Sequence, residues 1–219
     1  MNPTPHFDFS NRSIPRHIVV EGPIGVGKTS LVKQLASTFG YPTLMERPEE
    51  NPFLEAFYRD KRSAAFQTQM YFLMQRVNQL NQQSANTAPL VADFLLDKDK
   101  LFAEVVLTPH EFALYEQVYA QLTLHIRQPD LVVYLQAQPK VLLERIHKRG
   151  IKSEQSITAE YLTELNAAYS KFFHYYDAAP VLIVNASDLD WVNSARDYQQ
   201  LVEYLVSIGK GRHYYNPQR

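Results

Sequence analysis

The chain contains no cysteine among its 219 residues. Disulfides, thiolate metal sites and a cysteine nucleophile are thereby excluded, and the absence agrees with a reducing compartment. An excess of one charge sign is missing too. With 22 Lys and Arg against 23 Asp and Glu, the formal net charge is -1, so no field favours generic binding to nucleic acid or an anionic membrane. Acidic ligands must be held by local basic clusters. No apolar run is long enough to span a bilayer, and residues 1–9 carry Pro3 and Pro5 but no apolar core of signal-peptide length. The expectation is a cytoplasmic protein with neither nucleic acid nor membrane as partner. The seven histidines are scattered without metal-ligand spacing, and no internal repeat is visible. What remains, a 45% hydrophobic chain of this length, suits one core and one domain.

The most informative stretch is Gly22-Pro23-Ile24-Gly25-Val26-Gly27-Lys28-Thr29, which fits the phosphate-loop pattern G-x-x-x-x-G-K-[ST]. A short apolar strand over 17–21 precedes it, and a helix opening at Thr29 follows. Glycines let successive N–H groups turn toward a phosphate, and the helix N-terminus adds partial positive charge. Gly22, Gly25, Val26, Gly27, Lys28, Thr29 and Ser30 are therefore expected to hold a nucleoside triphosphate, with Lys28 on the terminal phosphates and Thr29 on Mg²⁺.

Along the rest of the chain, strands are predicted over 41–45, 90–93, 129–135 and 181–184, and helices over 29–39, 53–58, 62–83, 109–127, 139–149, 158–176 and 191–208. Residues 1–16 read as a flexible lead-in, 17–208 as a single domain and 209–219 as an irregular tail. Alternation of strands with helices predicts an α/β fold with a parallel sheet of about five strands flanked by helices. Ligands gather outside the carboxyl ends of such strands, where Thr29, Glu46 and Asp93 all fall.

Each candidate has a chemical reason. Asp93 closes an apolar strand, the place of an acid that holds Mg²⁺, although aspartate also caps helices. Glu46 is suited to accept a proton from an attacking hydroxyl, or else to pair with Arg47 on the surface. Gln69 sits beside the stripe Phe66, Met70, Leu73, Val77 and Leu80, with Arg76 further along. Its amide can donate and accept together at a nucleobase edge, and Phe72 or Phe66 could stack on the base. Arg145 and Arg149, four apart, could clamp transferring phosphates, or belong to a salt-bridged surface, since Glu144 and Lys148 have the same spacing.

With these segments in this order, the chain resembles the deoxynucleoside kinases, especially the bacterial purine-deoxynucleoside members, from about His17 to Ser207. The likeness is carried by residues 22–29, by Glu46 with Glu50-Asn51-Pro52-Phe53-Leu54 and Phe57-Tyr58, and by Phe66-Gln67-Thr68-Gln69-Met70-Tyr71-Phe72-Leu73 with Arg76. Glu144-Arg145-Ile146 to Arg149-Gly150, Glu154-Gln155 and Glu160-Tyr161-Leu162 complete it. The resemblance implies a three-layer P-loop kinase fold with a helical lid. It implies transfer of the γ-phosphoryl group of ATP to the 5′-hydroxyl of a deoxynucleoside, purine favoured, with Mg²⁺ and a homodimer packed through helices. Glu46 would be the base, Gln69 and Arg76 would line the base pocket, and Tyr58 and Glu154 would hold the sugar. Lys28, Arg145 and Arg149 would stabilise phosphate charge, the two arginines as part of the lid. The loop 185–190 would border the donor base.

Departures from the family pattern are local. Its acid-Arg-Ser motif is here Asp93-Phe94-Leu95, so an arginine is missing and Lys98 or Lys100 is the nearby cation that could substitute. Ile151 stands where many members have a further lid arginine, and Arg47 separates Glu46 from Pro48. Two other readings remain open at this level. One is a nucleoside monophosphate kinase such as a thymidylate kinase, which would want arginines at the acceptor site. The other is a catalytically weak nucleotide-binding regulatory protein.

Overall fold

The computed structural model describes residues 7, 9, 10, 12–84, 88–123 and 126–216. Six parallel strands form the sheet: β1 (His17–Glu21), β2 (Thr43–Leu44), β3 (Leu90–Ala92), β4 (Leu131–Gln136), β5 (Val181–Asn185) and β6 (Arg212–Tyr215), in the order β2-β3-β1-β4-β5-β6. Helices cover both faces: α1 (Lys28–Phe39), α2 (Leu54–Arg59), α3 (Lys61–Ser84), α4 (Lys98–Val106), α5 (Pro109–Leu122), α6 (Pro139–Arg149), α7 (Ala159–Tyr175) and α8 (Ala195–Leu205).

The strands are buried on both sides, which is why they read as apolar runs rather than alternating ones. Within β1, Ile18 and Val20 face the cluster built with Leu31, Leu35 and Leu201, while Val19 faces the one built with Leu165, Tyr169 and Phe173. On that second face Tyr134 and Phe173 stack at 4.2 Å between ring centroids. A third cluster, with Leu73, Val77, Ala103 and Tyr115, joins α3, α4 and α5. Local signals set the helix limits: α1 ends on Gly40 in the left-handed region (φ 67°), and α5 begins with a Thr108–Glu111 capping box and Pro109.

Three expectations change. The sheet has six strands rather than about five, because Arg212–Tyr215, expected within an irregular tail, pairs in parallel with β5. The lead-in is packed where it is described: Phe7 meets Tyr198 edge-on and Phe9 packs on Phe39. Residues 1–6, 8, 11 and 217–219 of the expected lead-in and tail lie outside the described residues. Helix α4 was not expected at all, since its opening Lys98-Asp99-Lys100 reads as a polar loop. Both Lys98 and Asp99 point inward.

At the start of β1, His17 is buried, with its backbone N–H donating to Asp130 Oδ2 at 2.8 Å. Burial, reinforced by Arg127, lowers its pKa from 6.5 to about 4. The unfolded chain therefore binds the extra proton first. Stability from neutral His17 is complete above about pH 6.5 and is lost as the pH falls to about 4. Urea unfolding at pH 7 and pH 4 is expected to show about 3 kcal/mol less acid loss in His17→Leu than in the wild type.

Candidate active site

The site forms where the carboxyl ends of β1, β2 and β3 meet the N-terminus of α1. Glycine is required in the loop that joins β1 to α1. A Cβ on Gly22 (φ 149°) would stand 2.5 Å from the Leu135 carbonyl oxygen, and one on Gly27 (φ 108°) 2.8 Å from the Trp191 ring. The loop thus turns tightly between β4 and the segment before α8, leaving Lys28 and Thr29 at the start of α1. The Lys28 ammonium is folded back onto the loop, donating to the carbonyls of Gly22 at 2.7 Å and Pro23 at 3.2 Å. Burial and the nearby Lys98 lower its pKa, against the pull of Glu21, Glu46 and Asp93.

Asp93 follows β3 and is buried. Its Oδ2 accepts from the Thr29 hydroxyl at 3.3 Å and its Oδ1 from the Glu46 N–H at 2.6 Å. Burial raises its pKa, as does the charge of Glu46. Thr29 and Asp93 are therefore a pair of hard oxygen donors at the phosphate loop, a donor set that suits Mg²⁺ when phosphates and water complete its shell.

Glu46 lies two residues beyond β2. Arg76, on α3, donates to its Oε1 through Nε at 2.9 Å and through Nη2, and also donates to Asp99. The Lys98 ammonium lies 3.5 Å from the same Oε1. Burial opposes ionisation of Glu46, yet Arg76, Lys98 and Lys28 hold its carboxyl well below the usual carboxylate range. Among the described residues these contacts all fall on Oε1, leaving Oε2 as the oxygen suited to accept a proton.

These groups line one cavity of about 150 Å³ with Tyr58, Gln69, Phe72, Tyr161, Arg149 and Glu154. Gln69 is buried in its wall, and the Arg76 guanidinium lies 4.7 Å from the Phe72 ring centroid. Phe66 packs against the α3–α5 cluster instead. Burial pushes the Tyr58 phenol well above its ordinary pKa, with Tyr161 and Glu154 adding to the effect. Glu154 sits in a 3-10 turn, Lys152–Ser156, and pairs with Arg149 across it. That turn touches α2, where Ser156 Oγ donates to the Tyr58 carbonyl at 3.2 Å.

Arg145 is placed differently from Arg149. Its guanidinium donates to the carbonyls of Val26 at 3.1 Å and Ala186 at 2.8 Å, tying the phosphate loop to the segment after β5. It faces a neighbouring cavity of about 490 Å³, lined by Gly25, Val26, Gly27, Ser30, Lys148 and residues 187–193. The two arginines thus serve two cavities, on either side of the phosphate loop, rather than one clamp. Sequence reasoning missed Glu21, whose fully buried carboxylate ends β1, and Asp99. A glutamate closing an otherwise apolar strand was the available signal for the first. Nothing in the periodicity marked the second.

The family model described as "Deoxynucleoside kinase" matches residues 18–208. A deoxyguanosine kinase of Bacillus subtilis is 34% identical over 199 residues, covering 87% of this chain and 96% of that protein. A deoxyadenosine kinase of Dictyostelium discoideum is 32% identical over 178 residues, covering 78% of this chain and 73% of that one. Among solved structures, deoxyadenosine kinase from M. mycoides with bound dATP superposes with a TM-score of 0.75 at 29% identity, covering 85% of this chain and 99% of that one.

The loop geometry is directly testable. Gly22→Ala forces a Cβ into the Leu135 carbonyl and is expected to destabilise the fold by more than about 2 kcal/mol in chemical unfolding. Gly209→Ala, which meets nothing within 4 Å, is expected to leave stability within about 0.5 kcal/mol.

Proposed function

The chain belongs to the deoxynucleoside kinase family and phosphorylates a deoxynucleoside, and from that premise we propose that ATP is the donor, Glu46 the base and a purine the preferred acceptor base. The observation that carries this reading is the single cavity shared by Lys28 and Thr29 with Glu46, Tyr58, Gln69 and Glu154. It has a phosphate end and an end suited to a sugar and a base. The catalytic domain takes in residues 17–208 together with the edge strand β6.

In this reading the triphosphate lies along the backbone N–H groups of residues 22–30, with Lys28 turning from the loop carbonyls to the terminal phosphates. Its base sits beside the segment 187–193, which Arg145 holds against the phosphate loop. Thr29 and Asp93 hold Mg²⁺, which when bound supplies charge neutralisation across the phosphate oxygens. Gln69 pairs with the acceptor base and Phe72 stacks on it, with Arg76 closing the pocket floor. Tyr58 and Glu154 hold the sugar. The proton of the 5′-hydroxyl passes to Glu46 as its oxygen bonds to the γ-phosphorus. The bond from that phosphorus to the bridging oxygen breaks, and ADP leaves with the electron pair. Arg149 stabilises the charge from the lid side.

Glu46→Gln keeps the shape of the side chain but removes the base. Its kcat is expected to fall by about 10²- to 10⁴-fold with ATP affinity nearly unchanged, measured by phosphoryl transfer to the common deoxynucleosides and by ATP titration. Full activity would overturn the assignment of Glu46. Higher kcat/KM for a pyrimidine nucleoside would overturn the purine preference.

The same proposal includes a cytoplasmic homodimer. No helix among the described residues is long and apolar enough to cross a membrane. Beside α4 and α7, Val105 and Phe172 line a groove next to Tyr175, which is 75% exposed. An apolar groove of this kind suits a second copy of the chain. Light scattering is expected to report two chains for the wild type and one for Tyr175→Glu.

A further inference from the structure

We propose that Lys98 is a catalytic residue of the phosphoryl-transfer site. It fixes Glu46 and holds positive charge beside the oxygen that receives the phosphoryl group. The inference rests on the kinase reading above.

Lys98 opens α4 and is only 3% exposed, an expensive place for an ammonium. Two carboxylates from different strand ends fix it, Glu21 Oε2 at 3.4 Å and Glu46 Oε1 at 3.5 Å. Glu21 does not depend on the lysine for hydrogen bonding. It already accepts from Gly22 N–H at 2.8 Å, Leu95 N–H at 2.9 Å and the Tyr169 hydroxyl at 2.9 Å. It therefore acts as an anchor that aims the ammonium toward Glu46 and the cavity, whose wall Lys98 shares with Lys28, Thr29 and Asp93.

The other candidates for this charge are either already committed or placed elsewhere. Phe94 is 1% exposed in the core beside Leu95 and Leu101 and does not line the cavity. Lys100 lies at the surface with Glu116. Arg76 is held between Glu46 and Asp99. Lys98, four residues beyond Phe94, thus brings to the cavity the cation that the sequence pattern lacks at Phe94. An ammonium has three rotatable donors and no fixed plane, so it can turn from Glu46 to the phosphoryl oxygens. As Glu46 takes the 5′-hydroxyl proton, its hold on Lys98 weakens while negative charge arrives on the transferring group.

The absence of cysteine from the chain permits a clean test. Lys98→Cys places the only thiol in the protein on the cavity wall. Alkylation with 2-bromoethylamine rebuilds a side chain of lysine length bearing an ammonium, whereas iodoacetamide gives a neutral adduct of similar size. Loss of one preorganised charge is expected to lower kcat by about 100-fold in Lys98→Cys, with KM for the nucleoside within about threefold. Aminoethylation is expected to recover at least about tenfold of that loss and carbamidomethylation none. Equal recovery with both adducts, or kcat within about threefold of wild type before alkylation, would overturn the proposal. Should Lys98→Cys not fold, the charge-balanced pair Glu21→Gln with Lys98→Gln carries the same criterion for kcat. Wild-type turnover, measured alongside, tests the parent reading separately. An inactive wild type would refute the kinase reading, whereas an active wild type with an unimpaired variant refutes only the role of Lys98.

Discussion

One fully buried carboxylate holds the functional rim together. Glu21 ends the central strand, and its two oxygens accept from Gly22, Leu95 and Tyr169 while facing Lys98. Those partners belong to the start of the phosphate loop, the β3–α4 connection, α7 and α4. Burying a carboxyl group is costly unless its oxygens find partners, and here both do. The phosphate loop consequently cannot shift at its root without disturbing the helix that supports Glu46.

From that anchor the charge layout follows a simple division. Acids stand at or just beyond the strand ends: Glu21 as the last residue of β1, Glu46 after β2 and Asp93 after β3. The cations that answer them come from helices, Lys28 from α1, Arg76 from α3 and Lys98 from α4. Three helices therefore have to be docked before Glu46 has its full set of partners. Its lowered pKa in a buried place is thus a product of tertiary packing, not of the local sequence. Asp93 is shifted the other way, with burial raising its pKa. Neighbouring acids with opposite shifts are a recurrent mark of functional sites.

Much of this was legible in the residues, for identifiable reasons. The phosphate loop, the buried strands and the stripe of α3 are local patterns, and Glu46, Gln69 and Asp93 lie close to them in the chain. Lys98 was in view only as a possible substitute, because Asp97-Lys98-Asp99-Lys100 looks like solvated sequence until the fold turns two of the four inward. Hydrophobic periodicity is blind to buried charges that satisfy one another. The division of labour between Arg145 and Arg149 was hidden for a related reason. Four-residue spacing puts both on one side of α6, but which carbonyls or carboxylates await them depends on loops from elsewhere. Strand β6 escaped notice because Arg212-His213-Tyr214-Tyr215 lies on the sheet edge and lacks a buried apolar run.

The strand order has a kinetic consequence. The central strand finds its neighbours far along the chain, with His17 opposite Leu90 and Ile18 opposite Leu131. No hairpin can seed such a sheet, so long loops must close before any pairing is rewarded, and assembly is slow for the size of the chain. The loop at the end of β1 precedes β3 and β4 in the chain, yet it is completed only when they have arrived. Occupancy of that loop by a nucleotide then reports on the whole domain. A ligand that binds only the finished site raises the barrier to global unfolding, not merely to local fraying.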